Sequence, residues 1–127
     1  MMKWLLILAA LLPLIGCQQA KKMQAGGLYS IDDGEGRYQV AKILVLDNET
    51  VHIRIYKNTW EERPISIDRS TLSLGTIHDE DGFGIGHLPI SAGEFENWNP
   101  ALLQIEKVSE EELEGYRMWQ DANGGTF

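Results

Sequence analysis

Apolar and polar positions divide the chain into stretches of different character. Trp4 to Ile15 is an almost unbroken apolar run behind one cation, Lys3. From Leu28 onward the pattern is one of short β-rich stretches, beginning with GLYSI and the turn Asp32-Asp33-Gly34-Glu35-Gly36. RYQVAKILVL is apolar at most positions from Val40 to Leu46, which predicts a strand covered on both faces over part of its length. Asp47-Asn48-Glu49-Thr50 then forms a tight connection, and Val51-His52-Ile53-Arg54-Ile55-Tyr56 alternates strictly. Side chains alternate across a pleated strand, so Val51, Ile53 and Ile55 are expected in the core and His52, Arg54 and Tyr56, with Lys42 of the preceding strand, on the outward face. ISIDRSTLSLGTI and FGIGHLPIS read as further short β stretches.

Beyond these, Pro100 limits any helix through SAGEFENWNPALLQIEKV, where Phe95, Trp98, Leu102, Leu103 and Ile105 offer packing groups. Ser109 and Glu112 make a capping-box pattern at the head of SEEELEGYRMWQ. Acidic residues fill the first turn and Arg117 lies near the end, in agreement with the helix dipole. Leu113, Tyr116, Met118 and Trp119 supply a docking stripe, and DANGG stops the helix. The close spacing of the β stretches, with no long crossover helix between them, suits a small barrel rather than a parallel sheet. The layout over roughly Gly27 to Leu88 resembles SH3-like and Tudor-like barrels. The expected fold is therefore mainly β: a small SH3-like barrel with a C-terminal helix, behind a leader and a flexible tether.

The leader has the shape of a secretory signal. As a helix, the run Trp4 to Ile15 reaches only about 20 Å, short of the roughly 30 Å hydrocarbon core of a bilayer. Leu14-Ile15-Gly16-Cys17 resembles the lipobox of bacterial lipoproteins. The resemblance implies cleavage after Gly16, a diacylglyceryl thioether on Cys17 and, in many Gram-negative species, a further acyl chain on the new amino group. Each buried CH₂ contributes about 0.8 kcal/mol, so two or three chains make a stable anchor. Gln18 after the cysteine implies, by the same analogy, transport to an outer membrane, facing the periplasm. The expected division is a signal peptide over 1–16, lipidated cysteine and tether over 17–27, and a domain over 28–127.

Charge narrows the partners. The formal net charge is -8, and loss of Lys3 with the leader makes it one unit more negative. Such a surface repels phosphate backbones, so nucleic acid is not an expected partner. The single cysteine excludes an internal disulfide and a cysteine-based zinc cluster.

Three places could carry chemistry. His78, Asp79, Glu80, Asp81 and His87 offer oxygen and imidazole groups, but the spacing lacks the remaining ligands of an EF-hand or a zinc site, so a solvated turn is expected from His78 to Gly82. Arg54, Tyr56 and Trp60 on the hairpin face could form a recognition groove, or Tyr56 and Trp60 could instead pack beneath the C-terminal segment. No G-x-S-x-G elbow, H-E-x-x-H pair, P-loop or Rossmann fingerprint is present, and a lipidated Cys17 is no nucleophile. No catalytic residue, metal or cofactor is expected. The functional expectation is a lipid-anchored, non-catalytic envelope module that binds a protein or an envelope polymer. The alternatives are an immunity-type inhibitor of a toxic effector and, third, an envelope enzyme. Cys17→Ser is expected to abolish lipidation, read by metabolic labelling with an acyl-chain probe; label retained in the variant would remove the anchor.

Overall fold

A computed structural model describes residues 23–127 and places the expected hairpin at the centre of an antiparallel sheet. Strands β2 (Tyr38–Asp47) and β3 (Thr50–Ile55) pair in the register Ala41↔Ile55, Ile43↔Ile53 and Asp47↔Thr50. Asn48 turns the chain between them at φ 57°, a left-handed value that asparagine tolerates. A register shift between Ile43 and Val45 bends β2, as a bulge does. β1 (Gly27–Asp32) pairs with the first part of β2, and β4 (Ile85–Ser91) with β3. β5 (Ala101–Ile105) pairs with β1, giving the order β4-β3-β2-β1-β5.

The fold is mainly β, as expected, but the sheet is not closed into a barrel: β4 and β5 are its two edges. Part of the β4 edge is occupied by the chain's own tail. The Ser91 N–H donates to the Phe127 carbonyl at 3.0 Å, and the Phe127 N–H donates to the Pro89 carbonyl at 2.9 Å. Two further expectations are corrected. ISIDRSTLSLGTI is not a strand; it holds a 3-10 turn at Arg69–Thr71 within a loop laid over the sheet. ALLQI, in which no strand was read, is β5.

One face of the sheet carries the main core. Tyr29, Ile31, Ala41, Ile43, Val51, Ile53, Ile55 and Ile90 pack with Phe95, which is fully buried. Phe95 projects from helix α1 (Ala92–Asn97), whose first turn is capped by Ser91: its Oγ accepts the Glu94 N–H at 3.1 Å. Its ring meets Tyr29 edge-on at 5.6 Å between centroids.

The opposite face is covered as well, which corrects the outward placement of His52, Arg54 and Tyr56. Leu28, Val40 and Tyr56 lie beneath Trp60, Ile67, Leu72, Leu74 and Leu103. His52 is 0 % exposed, Tyr56 2 % and Lys42 1 %, while the Arg54 side chain keeps 16 %. The alternation of β3 did separate two faces, but the 57–84 loop and the C-terminal segment bury the second. Helix α2 (Glu114–Asp121) belongs to that segment. The capping box ahead of it forms reciprocally: the Ser109 N–H donates to Glu112 Oε1 at 2.8 Å and the Glu112 N–H to Ser109 Oγ at 3.2 Å. Gly115 allows α2 to approach β4, since a Cβ there would come within 2.7 Å of the His87 Cβ.

The leader, the lipobox and Cys17 lie outside the described residues. The end of the segment expected as a tether is bound into the sheet: the Gly26 N–H donates to the Ile43 carbonyl at 2.7 Å and the Glu106 N–H to the Gly26 carbonyl at 2.9 Å. A Cβ on Gly26 would collide with that Glu106 carbonyl, and its φ of 88° also favours glycine. Among the described residues no helix is long and apolar enough to cross a membrane.

Ile53→Asp is expected to unfold the domain, because an uncompensated buried charge costs several kcal/mol, comparable with the whole stability of a small domain. His52→Asp is expected to be similarly damaging, whereas an outward His52 would make it mild. Circular-dichroism melts compare the two, and a wild-type melt for His52→Asp would contradict the burial of this face.

Candidate functional site

The hairpin residues singled out from the sequence do not form an open groove. Tyr56 lies under the loop, with the Arg69 guanidinium 5.6 Å from its ring centroid, and its buried hydroxyl has no hydrogen-bond partner among the described residues. Burial raises the pKa of that hydroxyl. Trp60 is bound by its backbone to Tyr38, each donating to the other's carbonyl at 2.9 Å. Its side chain is half-buried against the second core and lines a wide polar hollow with Arg37, Lys57, Asn58, Thr59 and Thr71. Asn58 there is committed to the fold, donating to the Thr71 carbonyl and accepting the Ser73 N–H.

Lys42 is the centre of a buried ionic cluster. Its Nζ donates to Glu106 Oε1 at 2.8 Å, the Lys107 carbonyl at 2.9 Å, and both oxygens of Glu112 at 3.0 and 3.1 Å. Arg69 Nε lies 3.0 Å from Glu106, and Arg54 approaches Glu112 at 4.0 Å. Burial by itself would raise the Glu112 pKa. The Ser109 N–H, Lys42 and Arg54 together outweigh it and hold the carboxyl below its ordinary value.

A second buried polar cluster joins β3, β4 and α2. His52 Nδ1 and His87 Nε2 lie 3.0 Å apart, with ring planes within 7°. Stacked planes keep about 3.5 Å between them, so this contact is a hydrogen bond between ring edges, with one nitrogen donating. Tyr116 and Trp119 of α2 pack at steep angles to the His52 ring, with centroids at 4.7 and 4.5 Å. His52 Nε2 is buried without a hydrogen-bond partner among the described residues. Burial, and then the neighbouring His87, lower the His52 pKa against a smaller opposing pull from Asp47; burial lowers that of His87.

The acidic loop is tied down by a lysine. Lys57 Nζ donates to Asp79 at 2.9 Å and to Asp81 at 3.3 Å, and the Thr76 N–H also donates to Asp79. Among the described residues no group of three or more His, Cys, Asp or Glu side chains is placed to hold a metal ion.

What the structure brings together, and the sequence did not announce, is a cleft of about 390 Å³ on the main-core side of the sheet. Ile31 of β1, Ile55 of β3 and Trp98 give it an apolar floor, and Asp32, Asp33, Gln39 and Asn97 rim it. Its parts come from the end of β1, the β1–β2 turn, β2, β3 and the end of α1. The available sequence signals were the Gly-rich acidic turn at 32–36 and an aromatic residue two positions before Pro100, neither of which points to the other. Trp98 is held by its indole N–H, which donates to Glu94 Oε2 at 3.1 Å, and by the Asp32 N–H, which donates to its carbonyl at 2.9 Å. Trp98 is therefore braced against both α1 and the end of β1.

No protein-family model, curated protein or solved structure matches this chain.

Acid is expected to loosen the C-terminal segment in two steps. His52 and His87 have folded pKa values below the unfolded value of about 6.5, so their contribution is fully present above that pH and is lost as pH falls through the folded values. Glu112 is likewise lowered from 4.5, so its contribution is present above that value and lost on further acidification. The Trp119 indole N–H signal, followed by NMR from neutral to acidic pH, is expected to report release of α2 at the histidine step. An unchanged Trp119 environment after both histidines have titrated would refute the coupling.

Proposed function

We propose that this chain is a lipid-anchored interaction module of the bacterial cell envelope, with the signal peptide over 1–16 removed, Cys17 acylated and the folded domain binding a partner without catalysis. In a Gram-negative host its place is the outer membrane, facing the periplasm. The observation that carries the binding role is the braced cleft above Ile31, Ile55 and Trp98, where an apolar floor meets a few convergent polar groups. The hairpin face of Arg54, Tyr56 and Trp60 is less suited to this role, since Tyr56 is buried and Arg54 nearly so. The strand order, with α1 between β4 and β5, supports reading the architecture as an open variant of the SH3-like layout. An immunity-type inhibitor is the competing reading, favoured by the net charge of -8, which suits the basic surroundings of an effector's active site.

The test is to fill the cleft without touching the core. Asn97 is exposed at the end of α1 and lines the cleft. Asn97→Trp is expected to lower crosslinking to the envelope partner by a hot-spot amount, about 2 kcal/mol or more, with an unchanged thermal melt. Undiminished crosslinking by the folded variant would move recognition away from this cleft.

A further inference from the structure

We infer that the cleft receives a basic protein segment, one apolar side chain seated on Ile31, Ile55 and Trp98 with Lys or Arg on either flank. This rests on the reading of the cleft as the recognition site and chooses between the two partner classes, a protein or an envelope polymer. The floor asks for an apolar group: Ile31 is 2 % exposed and Ile55 8 %, and the ring of Trp98 closes the side. The charge of the two lips decides what flanks it. Asp32 ends β1, the β1–β2 turn carries Asp33 and Glu35 with Arg37, and α1 carries Glu94 and Glu96, immediately before the cleft residues Asn97 and Trp98.

Much of the nearby hydrogen-bonding capacity is already committed. Asp32 accepts from Arg63 at 3.1 Å and from Asn99 at 2.7 Å, and Arg63 is also held by Ser30. One oxygen of Asp33 holds the turn through the Glu35 and Arg37 N–H groups at 2.7 and 3.0 Å. This leaves the other Asp33 oxygen and the Glu35 and Glu96 carboxylates without partners among the described residues. Arg63 is therefore neutralised locally; Arg37 at the end of the turn offsets one of the turn carboxylates, so each lip still carries a net negative charge. An anionic polymer meets repulsion from either side, whereas Lys or Arg flanking an apolar anchor meets complementary charge.

The measurement uses the protein purified from membranes and two synthetic peptides, Gly-Lys-Leu-Lys-Gly and Gly-Glu-Leu-Glu-Gly, both blocked at their ends. Binding is read by calorimetry and by the NMR shift of the Trp98 indole N–H. The lysine peptide is expected to bind about tenfold or more tighter than its acidic twin, to move the Trp98 signal, and to weaken as salt is raised from about 50 to about 300 mM. Glu35→Lys with Glu96→Lys is expected to remove that preference, both sites being exposed on the lips. Equal affinity of the two peptides at Trp98, insensitive to salt, would overturn the charge inference and leave the cleft as a binding site. Tighter binding of the acidic peptide would overturn it in favour of an anionic partner. Binding of neither would also overturn it, and the Asn97→Trp crosslinking result then decides separately whether the cleft is used at all.

Discussion

Lys42 sets the constraint around which this domain is arranged. An ammonium on the second strand with 1 % of its surface exposed must be neutralised, and both carboxylates that neutralise it come from the C-terminal segment, 64 and 70 positions away. Removing one partner of such a cluster leaves an uncompensated charge, at a cost of about 3–5 kcal/mol against a total stability of about 5–15. The C-terminal segment is thus bound to the sheet by an electrostatic requirement as well as by its apolar contacts. Arg69, reaching Glu106 from the loop over 57–84, ties a second covering layer to the same point.

That requirement explains which parts of the fold were legible. The β2–β3 hairpin was, because alternation and a short polar turn are local signals and Ile53 lies opposite Ile43 as the pattern demands. The capping box of Ser109 and Glu112 was legible for the same reason. The fate of the second face was not, because Lys42, His52 and Arg54 are polar and read as solvent-facing. Their burial depends on partners elsewhere in the chain, such as Glu106 and Glu112 for Lys42 and His87, Tyr116 and Trp119 for His52. Glu112 shows how a local motif can conceal a long-range role: it completes the capping box and also neutralises Lys42.

Misread elements have an equally physical origin. Ile67, Leu72 and Leu74 have the apolar spacing of a strand, yet they pack onto the second core from an irregular loop. Ala101-Leu102-Leu103-Gln104-Ile105 lacks clear alternation, and its β state is set by pairing with β1, with a register shift between Leu28 and Tyr29. The cleft was least legible of all. Ile31 and Ile55 look like ordinary core positions in their own strands, and only the tertiary fold sets Trp98 beside them.

Sheet geometry also relates the cleft to the proposed anchor. Met23 already packs on the main core and the Gln24 N–H donates to the Tyr29 hydroxyl at 3.0 Å, while Gly26 is bound between Ile43 of β2 and Glu106 just after β5. From there β1 runs from Gly27 to Asp32, and the cleft opens at its far end, beside Ile31 and the turn that follows. At about 3.4 Å per residue this strand carries the cleft about 17 Å from Gly26. Under the proposed acylation of Cys17 the tether joins the opposite end of β1 from the recognition site. The Gly26 contacts and the cleft occupy opposite ends of β1, so a partner seated beside Ile31 leaves the bonds that hold Gly26 in the sheet in place.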